Sequence, residues 1–330
     1  MRCTGSCSRR RGRSRPGIGT QAPPDRRCAT TAEGFGTRLA TAIEGLPRGL
    51  QTRFAPAPTG YLHLGHVANA LVVWGVARAT RGVVVLRIED HDRQRCRPEY
   101  ETALLADIEA LGFSPDEPPV AWFRDGRPSP WRQSDNDRTY ATAAARLGDL
   151  GATYACDCSR TGFGSGPEGG APWRGPGCPG GCATRGLSLD LPGVAWRVAL
   201  GDGSESWTDL VLGEQDGEVA SRGDLAIRDR EGNWTYALCV VVDDLRHGID
   251  LVIRGEDLLD ATPAQVRLGA LLGRAAPLRY LHHPLVRSAD GRKLSKAHGD
   301  TAVRGQLEGG LAPATIRQDA AIAIGLDPGP

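Results

Sequence analysis

Val83-Val-Val-Leu-Arg-Ile88 is a short apolar run broken by a single arginine, and it ends in Glu89-Asp90. An apolar run of this length with acids at its carboxyl end is the pattern of a buried parallel strand. A first strand candidate, Thr52-Arg-Phe-Ala55, lies upstream and is followed by the turn-forming Pro56-Ala-Pro-Thr-Gly60. Apolar residues then continue through Ala79 as a helix would carry them, and Pro98 to Leu111 has helical spacing again. Strand, loop, helix, strand, helix predicts an α/β fold with a doubly wound parallel sheet. Such folds bind ligands beyond the carboxyl ends of their strands, which is where Glu89 and Asp90 fall.

A chain of 330 residues suggests about two domains. Its net charge of +1 gives no global basic field, so any nucleic-acid surface must be local. No apolar run approaches the length of a transmembrane helix; no membrane association is expected, and a cytoplasmic enzyme is. The nine cysteines are an odd number and unevenly spaced, which suits a metal site better than a disulfide framework. Residues 1–50 differ from the rest. Met1 to Arg27 is rich in Arg, Gly, Ser and Pro, has no acid before Asp25, and can bury little apolar surface. A disordered extension is expected there, with the folded part starting near Leu50. An overlong start or an organelle transit peptide has the same composition.

Of the 40 basic residues only two are lysine, Lys293 and Lys296, both in Gly291-Arg-Lys-Leu-Ser-Lys296. Lysine is a compact ammonium on a flexible stem and can follow a phosphate whose geometry changes, whereas arginine is a rigid fork. Far upstream, His63-Leu-Gly-His66 stands at the entry to the predicted helix. A helix N-terminus offers unpaired N–H groups and partial positive charge to phosphate. Gly65 would let a nucleotide lie close to the backbone. Taken alone, two helix-capping or metal-binding histidines would look the same.

Arg53-Phe-Ala-Pro-Ala-Pro-Thr-Gly-Tyr-Leu-His-Leu-Gly-His66 resembles the "HIGH" signature of class I glutamyl and glutaminyl tRNA synthetases, and Lys293-Leu-Ser-Lys296 resembles their "KMSKS" loop. Between them Arg87-Ile-Glu-Asp90, Trp131-Arg-Gln-Ser134, Tyr236 to Asp244 and Val252-Ile-Arg-Gly-Glu-Asp257 follow in that family's order. The resemblance covers residues 52 to 300. It implies a Rossmann-like catalytic domain in two halves, 51–145 and 236–330, around an inserted acceptor-binding-like subdomain at 146–235. It also implies ligase chemistry on L-glutamate and ATP, with Mg2+ accompanying the nucleotide. By this resemblance Arg53 and Arg254 hold glutamate carboxylates, Glu89 accepts from its ammonium, and Tyr236 lines its side-chain pocket. His63, Gly65, His66 and Lys296 bind ATP, and His63, His66, Lys293 and Lys296 serve catalysis. Ala57 stands where the family has a serine that touches glutamate, a loss of one hydrogen bond worth about 1 kcal/mol. Each of these residues alone would equally suit a salt bridge or a core position.

Cys156-Asp-Cys158 and Cys178-Pro-Gly-Gly-Cys182 flank a Gly/Pro-rich stretch. Four thiolates in two close pairs suit tetrahedral Zn2+, although the same residues could be four unligated cysteines in a glycine-rich insertion. Glutamyl-Q tRNA(Asp) synthetases resemble this arrangement, with a zinc-binding tyrosine where Cys178 stands; the likeness implies one structural zinc. Only 297–330 follow Lys296, so no anticodon-binding domain is expected, as in those enzymes. The resemblance then implies tRNA-independent glutamyl-adenylate formation and transfer to the queuosine base of tRNA(Asp), by a monomer. A truncated glutamyl-tRNA synthetase charging a 3′ end, a non-catalytic glutamate- or ATP-binding module, and a small nucleotidylyltransferase are the other readings.

Overall fold

The computed structural model describes residues 32–158, 177–287 and 302–327. A first helix, α1 (Phe35–Glu44), precedes β1 (Gln51–Phe54), α2 (Leu64–Thr80), β2 (Val83–Leu86), α3 (Pro98–Ala110) and α4 (Asp137–Asp149). Strands β3 (Thr153–Cys156), β4 (Ala195–Val198), β5 (Ser204–Asp209), β6 (Gly213–Glu218) and β7 (Leu225–Arg228) follow. The chain continues through α5 (Tyr236–Arg246), β8 (Leu251–Gly255), α6 (Thr262–Leu271), β9 (Arg279–His283), α7 (Val303–Glu308) and α8 (Pro313–Ala323).

The strand expected over Thr52–Ala55 is β1, and the run expected over Val83–Ile88 supplies β2; they pair in parallel, Gln51 opposite Val83. Strands β8 and β9 are likewise parallel, and β5 continues that sheet beside β9, with β6 antiparallel at its edge. Hydrogen bonds from Asp250 N to Gln51 O (2.9 Å) and from the Thr52 hydroxyl to Leu251 O (2.9 Å) bring β1 alongside β8. From β1 the chain winds through α2 to β2 on one side, and from β8 through α6 to β9 on the other. Between β1 and β8 the winding reverses, and a crevice opens at their carboxyl ends. The hairpin β5–β6, within the stretch 146–235, thus belongs to the sheet of the second half.

Helix α2 buries most of its circumference, including Val67, Ala70, Val73, Trp74 and Ala77, and exposes only a stripe of Gly75, Arg78 and Ala79 toward its end. Such a helix must be covered on more than one side. The sheet covers one face, and α8 and α1 pack on others. Residues 35–44 are therefore not the disordered extension expected before Leu50. Phe35 (0 % exposed) and Leu39 (7 %) enter the main core, and Gly36 N donates to Gly325 O at 3.2 Å. Phe35, Leu39, Ile43 and Leu46 recur at helical spacing, a signal masked by the polar composition before them. A second core joins α4, α5 and α6 to β4 and β7, so the small antiparallel sheet β3–β4–β7 shares its interior with helices that flank it.

Candidate active site

At the crevice between β1 and β8 lies a cleft of about 440 Å³ lined by Arg53, His63, Gly65, His66, Glu89, Tyr236 and Arg254. All seven were singled out from the sequence, although they are spread over some two hundred residues. Ala57 lies in the turn leaving β1 and is not among the lining residues. Lys293 and Lys296 fall outside the described residues. Asn69, Asp257 and His283 also face the cleft. Asn69 was not singled out from the sequence, although it continues the three-residue spacing of His63 and His66 along one helix face.

The two histidines are held by the helix start itself. His63 caps α2 by accepting from Gly65 N at its Nδ1 (3.1 Å), while His66 Nδ1 accepts from His63 N (3.1 Å). This is a capping box built from two imidazoles. With both Nδ1 atoms accepting, the neutral rings carry their proton on Nε2, which becomes a donor beside the positive end of the helix. Gly65, which lines the cleft, also has a local role. A Cβ there would stand 2.9 Å from His63 Cε1, so the glycine makes room for the folded-back ring.

Beneath the cleft runs a buried ion network. Arg87, fully buried, donates to Asp244 Oδ1 (2.8 Å) and Glu89 Oε1 (3.0 Å), and its Nε lies 3.7 Å from Asp243 Oδ2. Burial opposes charge on Arg87, but Asp244, Glu89 and Asp243 more than compensate and hold it protonated. Burial also works against ionised Asp244, and Arg53 and Arg87 outweigh it, so its pKa is lowered. At Glu89 burial wins over Arg87 and Arg53, and the pKa is raised. A cation arriving beside Glu89 would therefore favour its charged form. Burial likewise raises the Tyr236 pKa, so its hydroxyl stays a donor.

The two cleft arginines differ. Arg53 uses Nε on Asp244 (3.2 Å) and one Nη1–H on Ile253 O (3.1 Å), leaving the outer edge of its fork toward the cleft. Arg254 donates Nε to His282 Nε2 (3.0 Å), Nη1 to Gln265 Oε1 (2.6 Å), and Nη2 to both the Thr262 hydroxyl (2.7 Å) and Leu258 O (3.4 Å). A two-toothed grip on a carboxylate needs two N–H groups directed at it. Arg53 has the donors for it, whereas Arg254 in this arrangement keeps one N–H and its charge.

Away from the cleft, Cys156 and Cys158 leave the end of β3, and Cys178 and Cys182 come from the segment bridged to Asp224. Their four sulfur atoms lie within 4.8 Å of one another; three of the four side chains are buried and none is in a disulfide. A tetrahedral zinc site with Zn–S near 2.3 Å needs sulfurs roughly 3.8 Å apart, so this donor set fits the ion. Gly177 and Gly223 permit the approach: a Cβ on either would meet backbone at 2.7 Å. The Tyr154 hydroxyl donates to Asp224 Oδ2 (2.7 Å), tying β3 to the same segment.

The family model of class I (E and Q) tRNA synthetase catalytic domains matches residues 49–163 and 195–314. A glutamyl-Q tRNA(Asp) synthetase from Symbiobacterium thermophilum is 38% identical over 283 residues, covering 83% of this chain and 86% of that protein. The chain belongs to the glutamyl-Q tRNA(Asp) synthetase family of class I synthetases. It is an enzyme, a ligase by class. The protein of that name from Rhodobacter capsulatus is 36% identical, and the match takes in 98% of it. A glutamate–tRNA ligase 2 from Acidithiobacillus ferrooxidans is 38% identical, but only 56% of it is matched. Among solved structures, a glutamate tRNA ligase from Elizabethkingia meningosepticum in complex with its amino acid superposes with a TM-score of 0.62 at 28% identity, over 76% of this chain. This chain spans about half of that ligase, 53%. Among the described residues no helix is long and apolar enough to cross a membrane.

Proposed function

We propose that the enzyme activates L-glutamate with ATP, without tRNA, and transfers the glutamyl group to the queuosine base at the wobble position of tRNA(Asp). The observation that carries the activation step is the convergence of Arg53, Glu89, Tyr236 and Arg254 on the cleft that the His63–His66 pair overlooks. Arg53 takes a carboxylate of glutamate on its outer fork, and Arg254 supplies charge and one N–H. Glu89 accepts from the ammonium, and the Tyr236 hydroxyl donates within the side-chain pocket. The His63 and His66 Nε2–H groups, with Lys293 and Lys296, bind the phosphates of ATP, which Mg2+ accompanies. The other glutamate carboxylate attacks the α-phosphorus, its P–O bond to the β-phosphate breaks, and pyrophosphate leaves with the electron pair. No covalent enzyme intermediate is needed. Catalysis is positioning and preorganised charge.

Cys156, Cys158, Cys178 and Cys182 hold a zinc ion that cross-links the β3 end to the Cys178–Cys182 segment, a structural role. The queuosine-directed reading is supported by the relatives matched over nearly their full length, which carry that name. The second reading, charging of a tRNA 3′ end, has the partial match to glutamate–tRNA ligases in its favour. Glutamate-dependent ATP–pyrophosphate exchange on zinc-replete protein separates them. Exchange without tRNA is the expected result. Exchange only in the presence of tRNA would favour the 3′-end reading, and none under either condition would leave a non-catalytic binding module.

A further inference from the structure

Arg254 does not reach the cleft alone. Behind it, His282 on β9 and Asp209 at the end of β5 are both fully buried, with His282 Nδ1 2.6 Å from Asp209 Oδ2. Asp209 is an acceptor on every side. Its Oδ1 takes the N–H groups of Val211 (3.0 Å) and Leu212 (2.9 Å), and its Oδ2 also takes His282 N (3.1 Å). A carboxylate ringed by donors requires the proton of the imidazole on Nδ1. His282 Nε2 is then a bare acceptor, and it faces Arg254 Nε–H at 3.0 Å. Burial keeps His282 below its ordinary pKa, in keeping with a neutral ring. The remaining contacts fix the guanidinium plane. The Thr262 hydroxyl donates to Leu258 O (3.2 Å) and so accepts from Nη2, and the Tyr280 ring lies 5.1 Å from the guanidinium carbon while stacking on His282.

We propose that Asp209 and His282 are positioning residues for glutamate recognition: Asp209 fixes the His282 tautomer, and the bare Nε2 sets the orientation of Arg254 in the cleft. This rests on reading the cleft as a glutamate-activating site. It goes further in predicting that two residues outside the cleft lining govern the amino acid and not the nucleotide, because their hydrogen bonds run to Arg254, whereas His63 and His66 are held by the start of α2.

The test is ATP–pyrophosphate exchange by the full chain, with glutamate and ATP varied in turn. His282→Met removes the acceptor, and the glutamate KM should rise about tenfold or more, the effect of losing a hydrogen bond to a charged group. The ATP KM should stay within about twofold of wild type. His282→Gln restores a carbonyl acceptor near Nε2 and should keep the glutamate KM within about threefold. An unchanged glutamate KM in His282→Met, or both KM values rising in parallel, overturns the proposal. Nitrogen-15 NMR of the wild-type imidazole gives a readout independent of turnover and of how the variants fold. The Nδ1–H tautomer with Nε2 bare is expected, and the Nε2–H tautomer or a doubly protonated ring overturns the relay. Wild-type protein with the expected tautomer but no glutamate-dependent exchange would instead sink the reading of the site, and with it the role given to Arg254.

Discussion

Arg53 presents an open fork only because Asp244 occupies its other edge, and Asp244 in turn is held by Arg87. Removing that carboxylate would leave two buried guanidinium groups facing each other without their shared partner. Asp244→Ala is expected to lower stability by about 3–5 kcal/mol, read as a shift in the urea midpoint, and to weaken glutamate more than ATP. An unshifted midpoint would show that Arg53 and Arg87 find other partners. For the phosphate end, Lys296→Ala is expected to slow single-turnover adenylate formation by roughly 10²–10³-fold, the effect of losing one preorganised donor; a loss under about threefold would remove Lys296 from that role. At this scale the cleft residues were legible because they stand in motifs at strand ends and a helix start. The supporting residues were not assigned roles, although their signal was present. Arg87 interrupts an apolar strand and Asp243-Asp244 follows an apolar helical run, and charges so placed must find one another inside the fold. His282 and Asp209 gave no such signal, because neither lies in an obviously apolar run of matching character.

Two elements carry predictions of their own. The first is the cysteine cluster, which closes the small sheet β3–β4–β7 from one end. Chelation of zinc should release about one equivalent of metal per chain, detectable with a chromogenic chelator, and lower the melting temperature. Cys178→Ser should reproduce much of that loss, whereas retained zinc and unchanged melting would take Cys178 out of the ligand set. The second is the contact between α3 and α7, where Arg304 Nη2 approaches Asp107 Oδ1 at 3.5 Å. Asp107 is buried, and that burial lifts its pKa from 3.8 to about 6 despite Arg304. Between those two values the folded chain holds a proton that the unfolded chain has released, so stability falls as pH rises through about 4 to 6. Asp107→Asn should therefore stabilise the protein at pH 7.5 by about 1–3 kcal/mol and lose that advantage near pH 4. Equal urea midpoints for the two proteins at pH 7.5 would contradict it. Of the elements, β1, β2, α2 and α3 were readable from periodicity and turn chemistry. The helix α1 was not, because its Phe35, Leu39 and Ile43 stripe begins just after a stretch whose composition argues for disorder.

The described residues are built from two windings that meet at one line, and their outermost helices, α1 and α8, close the same core. Helix α1 lies against α2, while α8 covers α2 from another side and Gly325 accepts the Gly36 N–H. Phe35→Ala should cost about 3–5 kcal/mol in a denaturation experiment, as a core substitution would. A cost near zero would mark α1 as an appendage. The doubly wound architecture was legible because strand and helix patterns alternate at the start of the chain. The place of β5 in the main sheet was not, since a short strand carrying Ser, Glu and Thr says nothing about which sheet will accept it. The line where the windings meet has a temporal consequence. Arg53 finds Asp244 and Ile253 across 191 and 200 residues of chain. On the ribosome, His63, His66 and Glu89 are translated long before Tyr236 or Arg254, but α2 is covered by α8, and Arg87, which holds Glu89, is itself held by Asp243 and Asp244. The cleft is therefore complete only after β8 and α8 have emerged and docked, and neither half of it is in place beforehand.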